Sequence, residues 1–268
     1  MRIAVLMTIF KRQKETLKCL DALMSNNLDL DIYISDSNSK NNIESELKKY
    51  NNINFQNVGD DIFWNQGMNF SWIKAFDNFD YDFYIWLNND TFLFKNALEI
   101  LFNDYNKIET KSILVGITEY NNELTYGGRK KFGGELMKPN GFPQQVRIMN
   151  GNCVLIPKSS FKKLGFLDKK FSHSLGDIDY GLRAIKNSIP IYCTSELIGL
   201  CKKNNYVWYG SKSFYERFKN LKSPKGVPIN EYFYFNKKHF GFTRGIKFLL
   251  ATFLALFFPK IFKIVSNK

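Results

Sequence analysis

Through the first hundred positions, short unbroken apolar runs alternate with amphipathic stretches. Ile3–Met7 is apolar throughout, as expected of a strand buried on both faces. Gln13–Met24 sets Leu17, Leu20 and Met24 at helical spacing, with Cys19 beside them. A second strand, Asp31–Ser35, runs into the turn and cap residues Asp36-Ser37-Asn38-Ser39. A lysine- and asparagine-rich helix, a short strand at Ile53–Phe55, a helix over Gly67–Phe76 and a strand at Phe83–Leu87 follow. This βαβαβ order predicts a parallel sheet covered by helices on both faces.

Beyond residue 110 the texture changes. Leu114–Ile117 and Gly151–Ile156 read as strands, and Phe161–Leu164 opens a short helix. Between them, Gly127-Gly128, Gly133-Gly134 and Pro139-Asn140-Gly141 predict hairpins or a mobile loop over a site. No repeat and no long linker interrupts the chain. Near the C-terminus, Phe248–Phe258 is apolar apart from Thr252 and is flanked by Arg244, Lys247, Lys260, Lys263 and Lys268. The run is shorter than the ~20 residues a membrane span requires, and Pro259 ends or kinks it. A short apolar helix with basic flanks fits binding at an anionic lipid interface; packing on the domain or at a dimer interface is the alternative.

The chain has 268 residues, 44% of them hydrophobic and 24% charged, enough for one large or two small domains. Its formal net charge of +13 calls for an anionic partner such as a phosphorylated substrate, a membrane surface or nucleic acid. Neither a zinc framework nor an aromatic-glycine RNA-binding motif accompanies the charge, which argues against nucleic acid. Cys19, Cys153, Cys193 and Cys201 form no C-x-x-C pair, so nothing requires an oxidising compartment. The apolar N-terminal run is too short for a signal peptide, and the cytoplasm is the default location.

Two acidic runs carry the candidate chemistry. Leu87-Asn88-Asn89-Asp90-Thr91 closes the Phe83–Leu87 strand, and open α/β sheets bind ligands at the carboxyl ends of such strands. In Ser174–Arg183, Asp177 and Asp179 stand two residues apart, with Arg183 four beyond the second. One carboxylate suited to a hard cation and another suited to proton abstraction point to a transferase using a phosphorylated donor.

Taken in order, Ile3–Thr8 with Lys11-Arg12, Ile34–Ser39, Asn57-Val58-Gly59 with Trp64–Asn69, Leu87–Asp90, Gly151–Ile156, and Gly165–Asp168 with Gly176–Arg183 resemble the motifs of the inverting family 2 glycosyltransferases, in particular their rhamnosyltransferase-like bacterial group. The resemblance covers about residues 1–205. It implies an α/β domain of GT-A fold, with a mostly parallel central sheet flanked by helices in a Rossmann-like manner. Residues 206–268 would form an aromatic, helical, membrane-associating extension. The implied activity is transfer of a sugar from a nucleotide-diphosphate donor to a glycan or lipid-linked acceptor, with inversion, in surface polysaccharide biosynthesis. On this resemblance Asp90 holds Mg²⁺ or Mn²⁺, Asp177 is the base and Asp179 its companion. Thr8 and Arg12 meet nucleobase or phosphate, and Asp36 accepts from the nucleobase. Asn69, Asn89 and Arg183 join the donor contacts, Arg183 also pairing with Asp179.

The protein would act on the inner face of the cell membrane, with a homodimer as a possible assembly. Three positions depart from the family pattern: Asn88 replaces the first aspartate of D-x-D, Gly176 a glutamate, and Cys201 a histidine. They keep a non-catalytic relative open as an alternative. His173 and His239, or a cation from Lys202, Lys203 or Lys212, are the substitutes considered for the missing imidazole. The acceptor pocket is expected to involve the glycine-rich stretch Tyr126–Phe142 and the aromatic tail Tyr206–Tyr234, whose rings could stack on sugars or equally pack in the core.

Overall fold

A computed structural model describes residues 1–38, 43–108, 110–203 and 213–266, with backbone only for 263–266. Ser39, Tyr206 and Lys212 lie outside the described residues. The chain divides into two compact units, one made of Met1–Lys169 and Gly176–Lys203, the other of Lys170–Leu175 and the described residues beyond 212.

The first unit begins β1 (Ile3–Ile9), α1 (Gln13–Met24), β2 (Asp31–Asp36), α2 (Ile43–Leu47), β3 (Ile53–Asn57), α3 (Trp64–Asn78), β4 (Phe83–Leu87), β5 (Thr91–Leu93) and α4 (Ala97–Lys107). It continues through β6 (Ile113–Tyr120), β7 (Glu123–Tyr126), β8 (Gly128–Arg129), β9 (Gln144–Val146), β10 (Ile148–Met149), β11 (Cys153–Pro157), α5 (Lys158–Leu164), α6 (Gly176–Lys186) and β12 (Ile191–Cys201). The strands line up β3-β2-β1-β4-β11-β6-β12-β5, with β7 added to β6 and β9 to β12. β3, β2, β1 and β4 are mutually parallel, while β11 enters antiparallel to both β4 and β6. The expected mostly parallel α/β sheet is therefore present. Of the expected hairpins, β7 folds back on β6 just before the turn-rich segment; within and after that segment, β8 pairs with β10 and β9 with β12, while 130–143 is irregular.

Alternation along β1 explains why both faces are covered. Ile3, Val5, Met7 and Ile9 join a core with α1 and α4, including Cys19, Leu20, Leu23, Leu98 and Leu101. Ala4 and Leu6 join a second core with Met68 and Trp72 of α3, Phe161 of α5 and Tyr180 of α6. A strand whose successive side chains enter two cores has no solvent face, hence the unbroken apolar run in the sequence. Trp72 is the hub of the second core, with ring centroids 5.5 Å from both Tyr84 and Trp86, 5.1 Å from Phe161 and 5.6 Å from Tyr180. That aromatic packing fixes α3 and α6 against the sheet, and these two helices carry the site.

The second unit comprises α7 (Phe214–Asn220), α8 (Ile229–Phe240), α9 (Phe242–Phe257) and α10 (Pro259–Ser266), joined by the short segment Lys170–Leu175. Ser172 explains that assignment: its backbone N–H and hydroxyl both donate to Glu231 of α8, at 3.0 and 2.7 Å. Phe171 packs nearby on Tyr234 and Phe235. Among the described residues, no helix is long and apolar enough to cross a membrane.

Replacing Trp72 by alanine empties the hub of the second core, a loss of about 3–5 kcal/mol. The expected outcome is a lower denaturant midpoint with an unchanged slope, read by equilibrium unfolding of the variant against the wild type.

Candidate active site

The parallel strands β1, β2 and β4 deliver their carboxyl ends to one edge of the sheet. β2 ends on Asp36, paired in register with Ile9 of β1. β4 ends on Leu87 and passes into the turn Asn88-Asn89-Asp90, closed by the Thr91 N–H donating to the Asn88 carbonyl at 3.0 Å. Leu87 pairs antiparallel with Cys153, so the loop before β11 lies beside this turn. The Asn88 N–H donates to the Asn152 carbonyl at 2.9 Å and locks the two together. β12 returns antiparallel to β5, setting Cys201 opposite Thr91. A Cβ on Gly199 would stand 2.5 Å from the Phe92 carbonyl oxygen, so that strand meets β5 closely only through glycine.

Within this frame Asp90 is bonded to the Arg12 guanidinium through Oδ2. Lys11 and Arg12 both have left-handed backbone, φ 57° and 32°, which turns the chain from β1 into α1. Both partners of the pair are partly exposed, so it is worth about 1 kcal/mol or less and is readily exchanged. The other oxygen of Asp90 lies 3.9 Å from Cys201 Sγ, which also receives the Asn152 amide at 3.4 Å. Burial, reinforced by Asp90, raises the Cys201 thiol to about 11, so it is neutral near pH 7. Cys201 thus fills the expected histidine position as an uncharged, buried group. Both histidines of the chain belong to the second unit. There burial, with Lys225 assisting, holds the His173 imidazole down to about 4, and His239 packs on Phe235.

A divalent ion fits this donor set in one way. Asp90 supplies a single carboxylate; the Asn88 side-chain oxygen is engaged by Trp64, and the described residues contain no group of three His, Cys, Asp or Glu side chains arranged to hold a metal. Mg²⁺ is commonly held by one carboxylate when substrate phosphates and water complete its shell. The residues present suit that mode and not an all-protein cage.

Asp177 opens α6, reached through Gly176. Its Oδ2 accepts from the Gly151 N–H and its Oδ1 from the Ile178 N–H, each at 2.8 Å. Burial raises its carboxyl above the ordinary value, and backbone N–H donors of Gly151, Ile178 and Asp177 itself oppose that shift without cancelling it. Asp179, fully buried, accepts from Arg183 Nε at 2.9 Å. The remaining arginine donors go to the Leu164 and Phe166 carbonyls at 2.6 and 2.8 Å. Arg183 therefore ties α6 to the 164–166 loop, and breaking such a buried pair costs about 3–5 kcal/mol.

Trp64, to which the sequence pattern gives no role, joins the two acidic runs. Its indole N–H donates to Asn88 Oδ1 at 2.6 Å. Its ring edge covers Gly151, where a Cβ would meet Trp64 Cη2 at 2.7 Å and the Asp177 Cβ at 3.1 Å. The spacing between Trp64 and the Asn65-Gln66-Gly67 segment gives no sign of this, because an aromatic at the start of a helix reads as core.

Three expected donor contacts have other partners. Asn69 is buried and donates to the Leu167 carbonyl at 3.0 Å, Asn89 donates to Thr16 Oγ1 of α1 at 2.9 Å, and Arg183 is engaged as described. In this structure each of these side chains is directed into the scaffold. Thr8 donates to the Ser35 carbonyl at 3.3 Å and abuts Gly67 of α3, where any Cβ would collide with it. Asp36 Oδ1 accepts from the Asn38 N–H at 3.0 Å, forming an Asx turn at the end of β2.

The departure at Gly176 has a steric cause. A Cβ there would run into Asn65 Oδ1, and Asn65 is fully buried with its amide donating to the Asp168 carbonyl at 3.0 Å. Gly176→Glu, which restores the residue of the family pattern, is expected to lower stability by about 1–3 kcal/mol through overpacking. Equilibrium unfolding reads the change; an unaltered midpoint would show that Asn65 yields freely.

The model of the family described as Glycosyl transferase family 2 matches residues 4–165. A search of curated proteins finds no match. Among solved structures, the chain is similar to S. aureus TarS 1-349 in complex with UDP, with TM-score 0.58 and 13% identity over 91% of this chain and 73% of that one. It is also similar to S. aureus TarS 1-349 in complex with UDP-GlcNAc, with TM-score 0.59 and 12% identity over 96% and 82%. At such identity the likeness shows the fold, a mixed α/β architecture of GT-A type.

Proposed function

The chain belongs to glycosyl transferase family 2, and from that premise we propose that it moves a hexosyl or deoxyhexosyl unit from a nucleotide-diphosphate donor to a glycan or lipid-linked acceptor, with inversion, in surface polysaccharide synthesis. S. aureus TarS, similar in fold, has been crystallised with UDP and with UDP-GlcNAc, which favours a nucleotide-sugar donor here. The enzyme would work in the cytoplasm, peripherally on the inner face of the cell membrane.

The observation that carries this reading is the setting of Asp177. It is a carboxylate whose proton affinity burial raises, held in one orientation by Gly151 and Ile178, at the sheet edge where the β4 turn presents Asp90. An inverting transfer is one displacement at the anomeric carbon. The acceptor oxygen forms its bond to that carbon as the carbon–oxygen bond to the diphosphate breaks, and the acceptor proton passes to Asp177. The nucleoside diphosphate leaves with the electron pair. Arg12, loosely paired with Asp90, is free to exchange onto the diphosphate as charge collects there. Mg²⁺ or Mn²⁺, held by Asp90 with the diphosphate, would supply further neutralisation of the leaving group. Asp36 and Thr8, at the ends of β2 and β1, line the nucleotide side. Asp179 acts at one remove, by fixing α6 through Arg183.

A thermal-shift screen of nucleotide sugars with Mg²⁺ or Mn²⁺ identifies the donor, since a ligand of the folded state raises the melting temperature. With that donor, Asp177→Asn should lower turnover by ~10²–10⁴-fold while donor binding survives. The base works only when deprotonated, so activity rises as pH climbs through its pKa. The acidic limb of kcat/KM should therefore lie above the ordinary aspartate range, because burial raises this carboxyl. A variant with near-native turnover, or a limb at or below the ordinary value, assigns the proton to another group.

A further inference from the structure

α9 has two apolar faces: one is packed inside its unit, while the other is largely exposed and touches the unit only at its ends, through Phe242 on Phe233 and Phe257 on Phe214. On the inner face Gly245, Thr252, Ala255 and Leu256 are buried. Leu256 clusters with Leu221 and Val227, Tyr232 of α8 stacks on Phe248 at 5.6 Å, and a Cβ at Gly245 would press on the Phe233 ring at 2.8 Å. The buried Arg217 of α7 donates to the Leu256 carbonyl at 2.9 Å, capping the end of the helix. These contacts fix the rotation of α9 within its unit.

The outer face is the anomaly. Phe242, Ile246, Leu250, Phe253 and Phe257 recur at intervals of four and three residues, which places them on one stripe of a helix. All are exposed, Leu250 at 66% and Phe253 at 59%, and Ile261 of α10 is exposed beyond Pro259. So large an apolar stripe on a surface helix marks a binding face. Its charge decides the partner: from Phe242 to Lys268 the chain has no Asp or Glu, and Arg244, Lys247 and Lys260 are exposed along it. A second copy would bring the same cations against these, whereas an anionic leaflet attracts them.

We infer that α9 lies in the plane of an anionic lipid leaflet, its outer stripe from Phe242 to Phe257 inserted among the acyl chains and its basic residues at the headgroups. The inner face stays on α7 and α8, so the helix docks without leaving its unit. This deepens the peripheral placement proposed above. Its test reads lipid binding and not sugar transfer, so the two readings fail separately.

The experiment is co-sedimentation of the full chain with vesicles of phosphatidylglycerol and phosphatidylcholine, against pure phosphatidylcholine, at low and high salt. The wild type should bind the anionic vesicles, prefer them over the zwitterionic ones, and weaken as salt rises. Leu250→Asp and Phe253→Asp alter exposed positions only, so the fold should persist by circular dichroism while anionic-vesicle affinity falls by about tenfold or more. Wild-type protein that ignores anionic vesicles, or variants that bind them unchanged, would overturn the inference. So would a concentration-dependent dimer, seen by light scattering without lipid, that both variants abolish, since it would give the stripe to a second copy.

Discussion

The indole of Trp64 fills the gap between the turn after β4 and the loop before β11. Its N–H holds Asn88, and its ring edge lies against Gly151, whose own N–H holds Asp177. The backbone bond from Asn88 to Asn152 closes the same circuit. The turn that carries Asp90 and the carboxylate of Asp177 are thus tied together by one continuous run of contacts, and the aromatic core around Trp72 holds the helices from which that run starts. Side chains fixed in this way need little reorganisation as charge develops, which is what electrostatic catalysis requires.

The departures from the family pattern make sense within that circuit. Asn88, with no charge, can accept from the Trp64 N–H. Gly176 leaves room for the buried Asn65, which ties α3 to the Asp168 carbonyl. Cys201 is a small neutral group where β12 closes on β5. The outcome is a leaner acidic site, with one carboxylate and one exchangeable arginine at the proposed diphosphate position, which suits a metal whose shell a bound donor would largely complete.

Much of this was legible in the sequence. The buried strands are visible as unbroken apolar runs because β1 and β4 pack on both faces, and the sequence singles out Asp90 and Asp177 as candidates because they stand close to element ends. The partners of Asn69, Asn89 and Arg183 were not legible. Spacing places a residue on a turn or a helix, but the direction of its side chain is decided by carbonyls and hydroxyls that are distant in sequence, such as Leu167, Thr16 and Leu164. Trp64 was missed for the same reason, since its partners lie 24 and 87 positions downstream. The attachment of Lys170–Leu175 to the helical unit rests on Glu231, another long-range contact that no local pattern encodes.

The proposed site divides its labour, with the turn at Asp90 holding the donor and Asp177 serving only the proton transfer. Calorimetric titration of the nucleotide sugar that most stabilises the wild type, carried out with divalent ion on Asp90→Ala and Asp177→Asn, tests it most directly. Donor binding should be lost in Asp90→Ala and kept in Asp177→Asn. Equal binding by Asp90→Ala, or loss of the donor in Asp177→Asn alone, would contradict it.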